Sequence, residues 1–582
     1  MKKFMCYILR SIKSRKTHFL PILSALLISI TLLAGKDKNF EKNAFNKEVF
    51  LTRETIAEEY FYNSKFKEAE EKYDELYNST GNPIWILKKA EIYSLLGNYH
   101  QSREYILKAK DKIEKLKDSS VSAKDNSFIL KELEFINYVV FLNFINRDYK
   151  IALLEGERYI FEYKDYKPLI KTMIAVYTAN NEHKIAEELL KSYPLDKDSA
   201  YDVAEYGMLN VFFDRWEDGI KYLKNAWEIN NEEHKIMDAV SQIATYDSEK
   251  LIKVIISLKE CFPQERVYSL WLAKLYSMKD ETAYNAIALL EEIKNEFNDS
   301  FNYNLIKINA LQKLKEKSES EMLINGMLSV SEKDYRVYHS AAWYYFNEKD
   351  YEKASDYAHK SKELNKSYND NYAFLIPEIL KSQGRSFEAR PYFINALCKE
   401  PYNYYIILNI ASYHWKGERN SEKALEYYRL AEALRPEDGE IKYQMAFIYI
   451  NIQAYDKAAE LLKNCIDIDE SVPKYHRSLG TIYMTQGNHD EGIKEIRYAY
   501  EADKSDILNL NNAGVYYITV EENLERGLYN LKSAYGRIDN STEQYVAQTI
   551  KENYSKAKTL YEKYISYDSE EILTLPDFQL FY

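Results

Sequence analysis

Four features of the 582-residue sequence carry residue types that could do chemistry. Gly487-Asn488-His489-Asp490 sets an Asn beside a His, and in a two-metal hydrolytic centre such a pair would hold the ions. That centre also needs Asp-x-His and Gly-x-His boxes on other loops, and the sequence supplies neither. The cysteines Cys6, Cys261, Cys398 and Cys465 lie far apart with no C-x-x-C pair, and the three in the body cannot all pair with one another. They are expected to be buried, small, inert thiols. Carboxylate pairs such as Glu187-Glu188 and Glu291-Glu292 suit solvated helix faces, and the nine histidines are scattered as interfacial or exposed side chains would be. HExxH, G-x-x-x-x-G-K-[ST] and G-x-S-x-G are all missing, so no catalytic residue, metal or cofactor is assigned and the expectation is a protein that is not an enzyme.

The elements that must position any site are helices. The chain is 46% hydrophobic and 29% charged, with 55 Tyr but only 16 Gly and 11 Pro, too few turn formers for a strand-and-turn fold. Self-comparison gives a period near 34 residues. A first small residue recurs at positions 57, 90, 140, 174, 207, 240, 273, 310, 342, 377, 411, 446, 480 and 514, and ten of these fourteen are Ala or Gly. A second recurs about twelve residues later. Two antiparallel helices cross closely only where the contact points carry almost no side chain. Aromatics three residues after the first small position, among them Tyr93, Tyr177, Tyr345, Tyr449 and Tyr483, fill the space against the next unit. A step of 50, from Ala90 to Val140, marks an insertion near 114–130, read as a polar loop around Lys117–Asn126.

This pattern resembles the tetratricopeptide repeat over about residues 50–540. The Gly487–Asp490 stretch, though similar to the GNH[DE] box of metallophosphoesterases, falls at the helix–helix turn of the best-formed unit, in line with Gly97-Asn98-Tyr99-His100. The fold expected is all-α: an α-solenoid of about fourteen helical hairpins, a right-handed superhelix by the resemblance, preceded by one N-terminal apolar helix. Units near 133–166, 233–265, 303–334 and 370–403 are degenerate, and Pro377 should kink or shorten its helix. Residues 541–566 read as a capping helix and 567–582 as an apolar tail.

The resemblance implies a concave groove lined by the second, fifth, ninth and twelfth places of each unit's first helix. Here those places hold Trp343, Phe346, Phe374, Tyr405, Leu408, Trp415, Tyr443, Phe447, Ile450, Arg477 and Asn511. The Lys and Asn set with which chaperone-binding members hold a terminal carboxylate is not reproduced across consecutive units. An aromatic groove suits apolar peptides or helices, and equally the rings could pack between repeats. The tail, from Ile572 to Tyr582, either folds back onto the solenoid or is a ligand for a partner.

Residues 1–35 carry six basic side chains and no acidic one. Removing that +6 from the formal −12 leaves −18 for residues 36–582, an acidic body with no basic stripe for nucleic acid. Between Lys16 and Lys36, residues 17–35 are free of charge and would span about 28 Å as a helix at about 1.5 Å per residue. The segment is either a retained anchor or a signal cut near Ala34 or Gly35, and 36–49 is a linker. Lys36 offers no thiol to acylate. Basic residues stay on the cytoplasmic side, so the repeats are expected outside the cell membrane, or periplasmic or secreted if the segment is cut. The expected function is a non-catalytic scaffold binding proteins of the cell envelope, with polysaccharide export guidance as the alternative and a metal-dependent hydrolase a distant third.

Overall fold

In a computed structural model, residues 53–119, 126–331, 333–539, 542–566 and 574–582 are described. The expected N-terminal apolar helix and Cys6 lie outside them. Among the described residues every regular element is helical, and no helix is long and apolar enough to cross a membrane.

Contacts divide the chain into two units. In the first, described over 53–61 and 65–82, Ala57 and Ala69 are fully buried and the rings of Phe61 and Phe66 meet edge-on at 6.2 Å. The second, Tyr62–Ser64 and Pro83–Tyr582, is a series of helical hairpins in which each helix packs on its chain neighbour.

The hairpin turns share one device. A residue with positive φ closes the first helix at Gly97, Arg147, Asn181, Asp214, Lys315, Lys349, Gly384, Arg419, Gln453, Gly487 and Glu522. In most of these the next residue's N–H returns to a carbonyl five positions back, as in Asp350 to Tyr345 and Asn488 to Tyr483, both 2.9 Å. That is the bond of a helix ended by a left-handed residue. Gly487 takes φ 78° within this series, so the Gly487–Asp490 stretch serves a turn. The turn of the 233–265 unit lacks the device: His234–Cys261 runs through as one element, bent at Asp247 (φ −140°, ψ 75°).

Small residues set the helix crossings. A Cβ on Gly480 would lie 2.9 Å from the Gly492 carbonyl oxygen, and one on Gly527 would lie 2.8 Å from that of Gly514. Ala342 with Ala354 and Ala446 with Ala458 hold the same places fully buried.

Two expectations change, and the one that Pro377 shortens its helix holds. The extra length near 114–130 goes into long helices, Tyr99–Ser119 and Asn126–Ile145, and the first runs through Lys117–Ser119 where a polar loop was expected. Pro377 sits in a seven-residue helix, Ile376–Ser382, behind a π-helical turn, Asn371–Leu375. A proline has no N–H for the carbonyl four residues back. Asn409 of the next unit donates to that carbonyl, Ala373 O, at 2.9 Å. Finally, among the described residues only Cys465 is a buried thiol, with Sγ 3.3 Å from Gly439 O. Cys398 is partly covered, its thiol pushed up to about 12 by burial. Cys261 is exposed because it ends its helix.

Candidate functional site

The residues assigned to the groove fall into separate settings. Tyr405 is 6% exposed and packs at 5.2 Å against Phe212, which also meets Tyr402 and Tyr404. Around these rings, residues 400–435 cover helices nearly two hundred positions earlier. Lys235 and Glu400 form an ion pair at 2.5 Å, both almost wholly buried. Asn403 donates to Gln242 Oε1 at 2.9 Å, and Arg435 donates to the Phe212 carbonyl at 2.6 Å. Further along, the Tyr99 hydroxyl donates to Glu426 at 2.6 Å. Lys235 is held well above the ordinary range: burial works against its charge, but Glu400 outweighs it. Glu400 is correspondingly lowered, with burial opposing and Lys235 prevailing. Tyr405 is thus part of an internal seal with no face free for a partner.

Arg477 and Asn511 lie in a second setting, a groove made by helices Pro473–Thr485, Ile507–Thr519 and Gln544–Ile565. Residues 577–582 of the same chain lie along it. Asn553 donates to Gln579 O at 2.7 Å and accepts from Gln579 N–H at 3.1 Å. Asn512 does the same to Phe581, at 2.6 and 2.9 Å. Thr481 Oγ1 adds a bond to Phe581 O at 2.7 Å, and Asn511 one to Gln579 O at 3.0 Å. In an extended chain, alternate residues turn their N–H and C=O to the same side. Two carboxamides spaced to meet residues 579 and 581 therefore read main chain in an extended form. Asn511, Asn512 and Asn553 are all 0% exposed, and an Asn buried without partners would cost about 1–3 kcal/mol per unmet group. Arg477 is fixed by Asn509 and Asp506, with its Nε 3.5 Å from Tyr582 O. Side chains follow the backbone: Phe581 packs with Leu510, Ala534 and Ile550, and Leu580 against Met484 and Ile496.

Trp343 and Phe374 line a third setting, a cavity of about 650 Å³ bounded by His234–Cys261, Val267–Tyr276, Phe301–Lys313 and Tyr335–Asn347. It contains Asp238, Lys274, His339 and Asp370. His339 Nε2 lies 3.0 Å from Asp370 Oδ2, and Nδ1 lies 2.9 Å from Asn371 Oδ1. A ring protonated on both nitrogens can donate to both oxygens. Burial opposes that charge, but the bonds to Asp370 and Asn371 overcome it and raise the pKa. The Trp343 indole N–H, 3.1 Å from the same Nε2, is accepted only by the neutral ring, so the proton on Nε2 selects between Asp370 and Trp343.

The other assigned residues do not converge. Phe346 meets Trp343 and Tyr351 at 5.5 and 5.6 Å. Tyr443 lies 5.5 Å from Tyr475, Ile450 is buried, and Phe447 is exposed. Leu408 and Trp415 are partly covered. The reading of the sequence missed Asn512, Asn553, Asp238, Lys274, His339 and Asp370. Lys274 and His339 nonetheless occupy the ninth and fifth places of their units, from which the same register had taken Trp343 and Phe346 in the unit of His339 and nothing in the unit of Lys274. Among the described residues no group of three His, Cys, Asp or Glu could hold a metal ion.

Comparison with solved structures gives low-identity likenesses over most of the chain. The APC/C hetero-tetramer Cut9–Hcn1 is similar at 13% identity and TM-score 0.34, over 85% of this chain and 95% of that one. Naa15/Naa10 bound to HypK-THB is similar at 12% and 0.38, over 90% and 98%. Yeast Tom70 is similar at 14% and 0.34, over 87% and 99%. No curated protein matches the sequence. The family model that matches is the tetratricopeptide repeat, over residues 439–472, the hairpin that begins with Gly439–Asn451.

Proposed function

We propose that this chain is a non-catalytic interaction scaffold that holds segments of partner proteins in extended form. The observation that supports this is the pair of carboxamides, Asn512 and Asn553, each bonded to both main-chain groups of one residue in the 577–582 segment. Main-chain bonds supply affinity whatever the sequence, while the apolar places taken by Leu580 and Phe581 supply preference. We place the partners in the cell envelope and the repeats outside the membrane, because the basic residues flank the apolar run 17–35 on its N-terminal side only.

The test uses a chain lacking residues 574–582 and a fluorescent peptide of that sequence, TLPDFQLFY. The peptide should bind the shortened chain, and N-methylation at Gln579 or Phe581 should weaken it at least about tenfold by removing one N–H donor. Equal binding of the N-methylated peptides would refute main-chain reading. Carbonate extraction and the size of the mature protein test the membrane assignment.

A further inference from the structure

The cavity beside Trp343 has no part in holding the 577–582 segment, and its charges are arranged for something else. Its volume, about 650 Å³, lies within the range of small-molecule sites. Asp370 is matched by His339, leaving Asp238 and Lys274 as the two partly buried opposite charges of the cavity without a charged partner in direct contact, whereas Lys315, also in its lining, is exposed. Asp238 accepts one bond, from the Tyr368 hydroxyl at 3.0 Å. The Lys274 ammonium makes no hydrogen bond or ion pair among the described residues. A partly buried ammonium with no counter-charge in contact is unfavourable, and so is a partly buried carboxylate served by one phenol. The two groups do not bond to each other, so neither cancels the other. Burial and the neighbouring Asp370 raise Asp238 to about 6, while burial lowers Lys274 although Asp238 and Asp370 oppose it.

Asp238 and Lys274 offer one charge of each sign, so neither a simple cation nor a simple anion suits both. A molecule bearing one charge of each sign on separate groups does. Trp343 and Phe374 supply an aromatic wall. We propose that this cavity binds a free amino acid with an apolar side chain, its ammonium at Asp238, its carboxylate at Lys274 and its hydrocarbon against Trp343 and Phe374.

Isothermal titration of the full chain tests this with L-phenylalanine, L-leucine and L-methionine, and with the singly charged analogues phenylpropanoate and phenylethylamine. At least one amino acid should bind saturably, and for phenylalanine each analogue should be at least about tenfold weaker. Asp238→Asn should abolish the preference over phenylpropanoate, and Lys274→Met the preference over phenylethylamine. If a variant fails to fold, the analogue ratios on the unaltered chain decide alone. Absence of saturable binding by all three amino acids, or an analogue that binds as tightly as its parent, would overturn the proposal.

Discussion

Two regions of this chain cover the face of its first helices by opposite means. Around Phe212, whole helices and buried charges do so: Lys235 with Glu400, Arg435 on the Phe212 carbonyl, and three tyrosine rings. Along Pro473–Thr485, Ile507–Thr519 and Gln544–Ile565, six residues of extended chain do so, held through neutral amides. The first cover is made of whole helices packed through aromatic rings, so lifting it would give up far more buried apolar surface than releasing six residues. A carboxamide left by its peptide is rehydrated, so the second can exchange. One region fixes the fold and the other keeps a surface in reserve.

The strongest way to break this comparison is Glu400→Ala. It leaves the Lys235 ammonium buried without its carboxylate and should cost about 3–5 kcal/mol, read from the midpoint of urea unfolding. Lys235→Met combined with Glu400→Leu should recover most of that loss. A midpoint unchanged by Glu400→Ala would show that the ion pair does not seal the closure.

Acid should separate the two regions next. Burial alone would raise the Glu418 carboxyl, but His414 and Arg390, bonded to it at 2.8 and 2.7 Å, bring it down to about 2. Because its folded value lies below the ordinary 4.5, its contribution is complete above 4.5 and lost as pH falls from there toward 2. Glu400, lowered in the same sense, adds to the loss. The four Asn bonds to Gln579 and Phe581 have no titrating group. Melting temperature should therefore fall through this window, while amide protection at 579 and 581 persists until the helices themselves unfold. Loss of that protection before the melting temperature moves would reverse the assignment.

Asn512→Ala and Asn553→Ala should have the smallest effect on the whole and a clear local one. Each removes two bonds to the segment, so exchange at the Phe581 or Gln579 amide should rise about tenfold, equivalent to about 1.4 kcal/mol, with the urea midpoint nearly unmoved. A midpoint that drops as far as in Glu400→Ala would place the groove among the permanent parts of the fold.

Much of the local architecture was legible in the sequence. The small residues at 207, 342, 446, 480 and 514 marked helix crossings: a Cβ on Gly207, Gly480 or Gly514 would meet a backbone oxygen of the facing helix, and Ala342 and Ala446 are fully buried. Arg477 and Asn511 came from one register, and both touch the 577–582 segment. Asn512 left a signal that went unread: three asparagines, Asn509, Asn511 and Asn512, with only Leu510 between them, open a helix whose next residues are Ala513 and Gly514. Polar amides at buried places need partners, and no partner lay within the unit. His339 and Lys274 were passed over although they stand at the fifth and ninth places of their units, because nothing within either unit shows which charges another unit will bring to face them.

The sequence by itself determined the period, the hairpins and the places where helices approach, because these depend on side chains within about 34 residues of one another. Only the tertiary structure decided that Glu400 meets Lys235, that Asp238, Lys274 and Asp370 share a cavity, and that residues 577–582 lie in the last groove. Such pairings depend on small rotations between neighbouring units, summed over many units, and no local spacing encodes that sum.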